Sequence, residues 1–233
     1  MGPYLSVLIP AFNEERTLGQ VVEAVLKVPL DLEIVLVDDG STDETWAVMQ
    51  TYANGDRVRA VQHVANRGKG AAVRTGLDNA RGQVVLIQDA DLEYSPDDYS
   101  ALLEPIRAQR ATVVYGSRAF SSHAAYSYWY VVGNRLVTLC TNVLYNCYLS
   151  DMETGYKVMP LDVARSLHLR ARGFELEPEI TAKLLRQGHR IYEVPITYSA
   201  RSREEGKKLT ALDGLKALLT LGRYRLWTDR SGR

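Results

Sequence analysis

Residues 85–93 read Val-Leu-Ile-Gln-Asp-Ala-Asp-Leu-Glu, an apolar run that ends in two carboxylates one residue apart. Side chains alternate between the faces of a strand, so Asp89 and Asp91 reach the same side. At the carboxyl end of a parallel strand that side opens into the crevice where α/β sheets hold ligands. Paired hard oxygen donors there suit Mg²⁺ or Mn²⁺ carrying a diphosphate. A D-x-D triplet also occurs in ordinary acidic turns, so its meaning depends on the elements around it.

Those elements alternate. Residues 4–9 form an apolar β-rich run closed by Pro10, and residues 33–37, 58–63 and 84–88 read as three further buried strands. Between them, helical periodicity covers 17–27, where Asn13 and Glu14 open the helix. It also covers 41–52, capped by Ser41 or Thr42, and 68–80 after the turn at Gly68–Gly70. Such alternation predicts a mostly parallel sheet with helices on both faces, its ligand at the carboxyl ends of the strands. The turns 10–15, 38–41 and 89–93 all fall at that end. Further on, 113–116 and 158–160 read as strands, and 131–148, 177–187 and 208–224 as helices. Residues 190–198 read as a strand which Pro195 confines to an edge. The polar-aromatic stretch 117–130 and the segment 199–208 read as mobile loops.

The size, 233 residues with 46% hydrophobic composition, suits one α/β domain. The pattern changes character midway, which divides the domain into halves 1–118 and 119–233. Lys+Arg and Asp+Glu both number 28, which argues against a nucleic-acid partner, although the segment 200–233 is locally basic. Cys140 and Cys147 lack metal-ligand spacing and read as reduced, buried thiols of a cytoplasmic protein. Nothing marks a signal peptide, and polar residues interrupt the apolar stretch 126–149, so the expected protein is soluble or bound only to a membrane surface. No feature fixes an oligomeric state.

Three segments resemble the signatures of family 2 GT-A glycosyltransferases: Ser-Val-Leu-Ile-Pro-Ala-Phe-Asn-Glu-Glu at 6–15, Val-Asp-Asp-Gly-Ser at 37–41 and Asp-Ala-Asp at 89–91. Within that group the chain is most similar to dolichyl- or polyprenyl-phosphate glycosyltransferases. The likeness continues through Asn-Arg-Gly-Lys-Gly (66–70), Gly-Ser-Arg (116–118), Asp-Met-Glu-Thr-Gly-Tyr-Lys (151–157) and Glu-Val-Pro-Ile (193–196), and so spans residues 4–224. It implies a GT-A (Rossmann-like) fold with a small mixed sheet on the acceptor side.

The resemblance also implies roles. Pro10, Phe12 and Glu14 would line the nucleoside pocket, with Asp39 and the backbone of Val37 at the base or ribose. Asp89 and Asp91 would hold the divalent cation, with Glu93 as third ligand and Ala90 leaving room for the donor. Arg118 would face phosphate, and Arg135 would be a second arm for an acceptor phosphate, since a planar guanidinium donates two parallel hydrogen bonds. Arg201 and Lys207 would close over the diphosphate. Asp91 and Arg118 are the expected catalytic pair. Lys69, in a turn that lacks P-loop spacing, would add positive potential.

The implied reaction is inverting transfer of a hexose from GDP-mannose or UDP-glucose to a polyprenyl phosphate at the cytoplasmic membrane face. Tyr126, Tyr128, Trp129, Tyr130 and the basic final helix suit that interface. Two alternatives stand beside it. A soluble acceptor would need a base, for which Glu175, Glu177 and Glu179 are candidates although helix-start placement also explains them. A nucleotide-sugar-binding protein without turnover is the other.

Overall fold

The computed structural model describes residues 2–53, 55–119, 128–199 and 211–226. Strand β1 (Leu5–Ala11) is buried along almost its whole length and forms the spine of a seven-stranded sheet. Strands β2 (Leu32–Asp38) and β4 (Val84–Ile87) flank it in parallel, and β3 (Val58–Gln62) lies outside β2. The chain therefore crosses over β1 between β3 and β4, and this reversal opens a crevice beyond the strand ends. The register Ala11↔Asp38 and Leu8↔Ile87 brings all three ligand-end turns to that crevice.

Beyond β4 the sheet becomes mixed without a break. Strand β6 (Lys157–Pro160) inserts antiparallel between β4 and β5 (Val113–Ser117), and β7 (Ile191–Pro195) closes the edge in parallel with β5. Pro195 thus sits on an edge strand, where a missing N–H is tolerated.

Alternation along β1 divides the core. Leu5, Val7 and Ile9 pack with α1 (Leu18–Lys27), α2 (Thr45–Tyr52) and α4 (Tyr99–Arg107). Leu8 faces the opposite layer of α3 (Lys69–Asn79), α6 (Leu161–Ser166) and α7 (Leu176–Arg186). In α1 the buried residues Leu18, Val21, Val22 and Val25 recur at the spacing of one helical stripe. A third cluster, including Val137, Met152, Leu221 and Tyr224, joins α5 (Tyr128–Tyr145) to α8 (Ala211–Leu226).

Several expectations shift. Neither Ser41 nor Thr42 caps α2, which begins at Thr45. Its first turn is held by Asp43, whose Oδ1 accepts from the Thr45 N–H at 3.0 Å. Ser41 and Thr42 are drawn instead to Asn13. Between Glu93 and Val113, where the pattern gave no element, Ser95 caps a 3-10 turn (Pro96–Asp98) that leads into α4. Cys140 and Cys147 are free but only half-buried. Residues 120–127 of the expected loop, with Tyr126, and the loop carrying Arg201 and Lys207 lie outside the described residues, as do the side chains of Trp129 and Tyr130. Among the described residues no helix is long and apolar enough to cross a membrane.

The end of the sheet away from the crevice is fastened by one buried carboxylate. Glu33, 1% exposed, accepts from Ser6 Oγ at 2.6 Å, the Arg81 N–H at 2.6 Å and Arg59 at 2.8 Å. Burial alone would raise its pKa, but the hydrogen bonds from Ser6 and Arg81 and the Arg59 charge hold it below the ordinary glutamate value. Its stabilising effect is therefore complete above the ordinary glutamate range and lost as pH falls through the depressed native value. Glu33→Gln is expected to lower the urea-unfolding free energy at neutral pH by about 1–3 kcal/mol, with nucleotide affinity unchanged per folded molecule.

Candidate active site

The first two turns of the crevice are stitched together. Asn13, in a left-handed conformation at φ 57°, accepts from the Thr42 N–H at 2.8 Å and donates its own N–H to Ser41 Oγ at 3.0 Å. The Glu14 N–H meets Thr45 Oγ1 at 2.8 Å, and Glu15 accepts from the Glu44 N–H at 3.0 Å. Pro10, Phe12 and Glu14 are half-buried along this seam, the Glu14 carboxylate accepting from Thr17 Oγ1 at 2.8 Å. Val37 is fully buried in β2 beside them.

Asp39 is occupied with structure. Its side chain is 3% exposed, one oxygen meeting His63 Nδ1 at 2.7 Å and the Arg67 N–H at 3.0 Å, the other the Gly68 N–H at 2.7 Å. The carboxylate thus folds the 66–68 turn against β2. Gly68 at φ 90° must be glycine, because a Cβ there would meet the Arg172 carbonyl oxygen at 2.1 Å. The result is the placement of Lys69.

Lys69 lies at the centre of the crevice. Its ammonium is 2.7 Å from Asp89 Oδ1 and 3.0 Å from Glu177 Oε1. Burial opposes its charge, yet the two carboxylates hold its pKa well above the ordinary lysine value. Asp89 is fixed from two further sides. Gln88 donates to the Asp89 carbonyl at 2.9 Å while accepting from Tyr99 and Tyr156 at 2.7 and 2.6 Å. Gly155 supplies a gap, since a Cβ would stand 2.6 Å from Asp89 Oδ2. Ala90 is buried and Asp91 half-buried.

Glu93, expected as a third ligand, is engaged by a tyrosine. Leu92 adopts φ 61°, uncommon for a leucine, and the Glu93 carboxylate accepts from Tyr198 OH at 2.8 Å. Among the described residues no three acidic, histidine or cysteine side chains converge as a metal cage. Asp89 and Asp91 alone would leave a donor set open to completion by diphosphate or water, which would suit Mg²⁺ more than a closed all-protein cage. A divalent cation fits this arrangement on two observations: Asp89 already holds a cationic group at 2.7 Å, and every donor is a hard oxygen.

Arg118 is set by a buried relay. Glu193 on β7 accepts the Asp151 N–H at 3.0 Å and the Ser150 N–H at 2.9 Å. Asp151 grips Arg118 with both oxygens, at 2.6 and 2.7 Å, and the guanidinium lies 5.1 Å from the Tyr198 ring centroid. Burial would raise the Asp151 carboxyl, but the Arg118 charge and hydrogen bonds from Arg118 and Asn134 hold it below the usual range. From α5, Asn134 reaches this pair, donating to Asp151 Oδ1 at 3.1 Å, whereas the expected second arm, Arg135, is exposed.

Behind the relay, Lys157 Nζ donates to the carbonyls of Met152 and Thr154 and sits 4.7 Å from the Tyr115 ring centroid. Glu153 has one oxygen buried without a hydrogen-bond partner. Burial, and then the nearby Glu177 charge, push the Glu153 carboxyl upward, while burial pushes Lys157 downward. Of the three late glutamates only Glu177 enters the crevice. Glu179 accepts from the Arg170 and Ala171 N–H groups, at 2.9 and 2.6 Å, and Glu175 from the Arg172 N–H at 3.0 Å. Lys69, Asp151, Glu153 and Glu193 carry more of the site than sequence reasoning gave them. The available signal was charge within the otherwise apolar or glycine-rich runs 66–70, 151–157 and 193–196.

The chain is similar to known proteins over most of its length. The family described as Glycosyl transferase family 2 matches residues 6–161. The polyprenol monophosphomannose synthase of Mycolicibacterium smegmatis is 31% identical over 209 residues, covering 84% of this chain and 77% of that one. The dolichol-phosphate mannosyltransferase of Pyrococcus furiosus is 27% identical, and the alignment spans only 58% of its length. A crystal structure of glucosyl-3-phosphoglycerate synthase from Mycobacterium tuberculosis, with Mn²⁺, UDP and glucosyl-3-phosphoglycerate, superposes with a TM-score of 0.74. It shares 20% identity and covers 98% of this chain and 82% of that one, a likeness of fold.

Two outcomes follow from the packing. Gly155→Ala is expected to cost about 1–3 kcal/mol in stability and to weaken Mn²⁺-dependent nucleotide binding by calorimetry, because the new Cβ displaces Asp89. Glu153 retains its proton in the native state where the unfolded chain has lost it, so native protein binds more protons and stability falls as pH rises through that window. Glu153→Gln is expected to flatten the dependence, measured as denaturant midpoints between about pH 5 and pH 7.

Proposed function

The chain belongs to glycosyl transferase family 2, and on that premise we propose that it transfers a hexose, with inversion, from a nucleoside-diphosphate sugar to a polyprenyl phosphate. The observation that carries this reading is the crevice itself, where Asp89 and Asp91 follow one strand, Lys69 pairs with Asp89, and Arg118, gripped by Asp151, shares with Asp89 the surroundings of Tyr94. Such a mixture of fixed cations and carboxylates suits a magnesium or manganese diphosphate better than a neutral ligand. The names of the relatives support a lipid phosphate as acceptor.

Asp89 and Asp91 would hold Mg²⁺ or Mn²⁺, which when bound supplies Lewis-acid neutralisation of the departing diphosphate. The seam of Pro10, Phe12 and Glu14 would receive the nucleoside, with guanine or uracil as its base. Asp39 and Val37 would act there through the turn and strand they build. An oxygen of the acceptor phosphate attacks the anomeric carbon as the bond to the diphosphate oxygen breaks, and the electron pair leaves with the nucleoside diphosphate. A phosphate monoester is already anionic near neutral pH, so this nucleophile needs no general base. Arg118, its plane fixed by Asp151, would orient phosphate, while Lys69 offsets charge building on the leaving group. Arg201 and Lys207 would add to that field from the following loop, and Arg135 would meet the acceptor from α5. Transfer would take place at the cytoplasmic face of the membrane.

One observation favours a second acceptor class. Glu177 reaches the crevice and is positioned to act as base toward a soluble hydroxyl acceptor if Lys69 moves to the donor. Incubation with labelled GDP-mannose or UDP-glucose and polyprenyl phosphate, with Mn²⁺ or with EDTA, separates the readings. An EDTA-sensitive glycolipid is the expected product, and donor turnover without glycolipid would transfer the reading to a soluble acceptor. Asp91→Ala is expected to remain folded by circular dichroism and to lose more than ~100-fold of metal-dependent turnover, about 3 kcal/mol of transition-state stabilisation.

A further inference from the structure

Among the described residues, exposed apolar side chains concentrate on the outward faces of α5 and α8. On α5, Leu136, Leu139 and Val143 are 52%, 58% and 74% exposed; on α8, Leu212, Leu215 and Leu219 are 67%, 53% and 65% exposed. Both triplets follow the same i, i+3, i+7 spacing, which draws each into one stripe along its helix. The opposite stripes are fully used. Val137, Thr138 and Thr141 of α5 and Ala217, Leu221 and Tyr224 of α8 are buried.

The two helices are joined by Tyr145 OH to the Leu221 carbonyl at 2.7 Å and by Arg225 Nε to the Leu144 carbonyl at 2.8 Å. Along them lie four exposed cations, Arg135, Lys216, Arg223 and Arg225, against a single acid, Asp213, which pairs with Lys216 at 3.6 Å. In a chain whose formal charge sums to zero, this is a local excess. A second copy of the same face would bring like charges together. An anionic lipid surface offers both an apolar layer for the leucines and headgroup charge for the arginines.

From this combination we infer that the outward faces of α5 and α8 dock on an anionic bilayer, with the leucine stripes at the acyl boundary and the arginines among the headgroups. The inference rests on the lipid-phosphate reading above and gives it a surface. It also gives the bilayer a short path to the chemistry. The inner side of α5 sends Asn134 to Asp151 and Thr138 Oγ1 to the Met152 N–H at 3.2 Å, so the helix that meets lipid also buttresses the Arg118 relay.

The test is sedimentation of the full-length protein with vesicles of phosphatidylcholine alone or with about a third phosphatidylglycerol, with no sugar donor or acceptor present. Wild-type protein is expected in the pellet with the anionic vesicles, on the order of 10-fold more than with neutral ones, and to be released by high salt. The double variant Leu139→Glu/Leu219→Glu is expected to stay in the supernatant while binding nucleotide and Mn²⁺ like wild type, which establishes that it is folded. Wild-type protein that ignores both vesicles, or a folded variant that pellets equally, overturns the inference. So does a wild-type dimer, seen by light scattering, that the double variant converts to monomer. Docking without transfer to polyprenyl phosphate would retain the surface and remove the acceptor reading; transfer in detergent without docking would do the reverse.

Discussion

Charge in a partly dehydrated crevice must be matched, and most of the local structure follows from that constraint. Lys69, Arg118 and Lys157 face Asp89, Asp151, Glu153 and Glu177, with Asp91 and Glu193 close by, so carboxylates outnumber cations if all are ionised. Part of the imbalance is absorbed at Glu153, whose buried unpartnered oxygen favours the neutral acid. Asp89 shares Lys69 with Glu177 and so is not left without a countercharge. Pairing of this kind adds little net stability compared with an apolar core, but removal of a single member leaves a stranded charge. The cluster is therefore better understood as a preset electrostatic environment than as a stabilising device.

Around that cluster, residues that look like ligands often act as scaffolding. Asp39 spends both oxygens on a turn and a histidine, and Asn13 ties the first two crevice turns into one surface. Glu193 works at two removes, through Asp151 to Arg118. Positioning through such relays is firm because each carboxylate in them is held by several donors from fixed backbone or side chains. Glycines serve the same end: at 68 and 155 a single added carbon would collide with backbone or carboxylate.

Much of this was legible before any coordinates. Strands β1, β2 and β4 are continuous apolar runs because both faces are covered, and the acidic turns after them mark the ligand end without further information. Strand β7 was readable as an edge from Pro195 alone. The antiparallel insertion of β6 was not, because four residues beginning with a buried lysine carry no directional signal. Helix α4 was obscured by Pro96 and Pro105, although the first occupies a tolerated helix-start position and the second lies near the last turn. The Lys69–Glu177 bridge joins residues 108 positions apart, and local pattern holds no trace of such a contact. Ser41 and Thr42 were read as caps because locally they are good ones; the competitor, Asn13, comes from another strand's turn.

The placement of β6 also sets an order of assembly. Strands β1 to β4 and their helices can gather as a parallel unit while the remainder of the chain is still emerging. Until Lys157 arrives, seventy residues after Ile87, the far side of β4 is an open edge and β5 has no neighbour to join it to the sheet. An exposed apolar edge of that kind recruits foreign strands. The segment that closes it is contiguous with Asp151 and Gly155, so the same few residues seal the nascent sheet and bring the crevice carboxylates into register. Sealing of that edge thus coincides with delivery of Asp151 and Gly155, and the crevice is completed only when Glu177 and Glu193 follow.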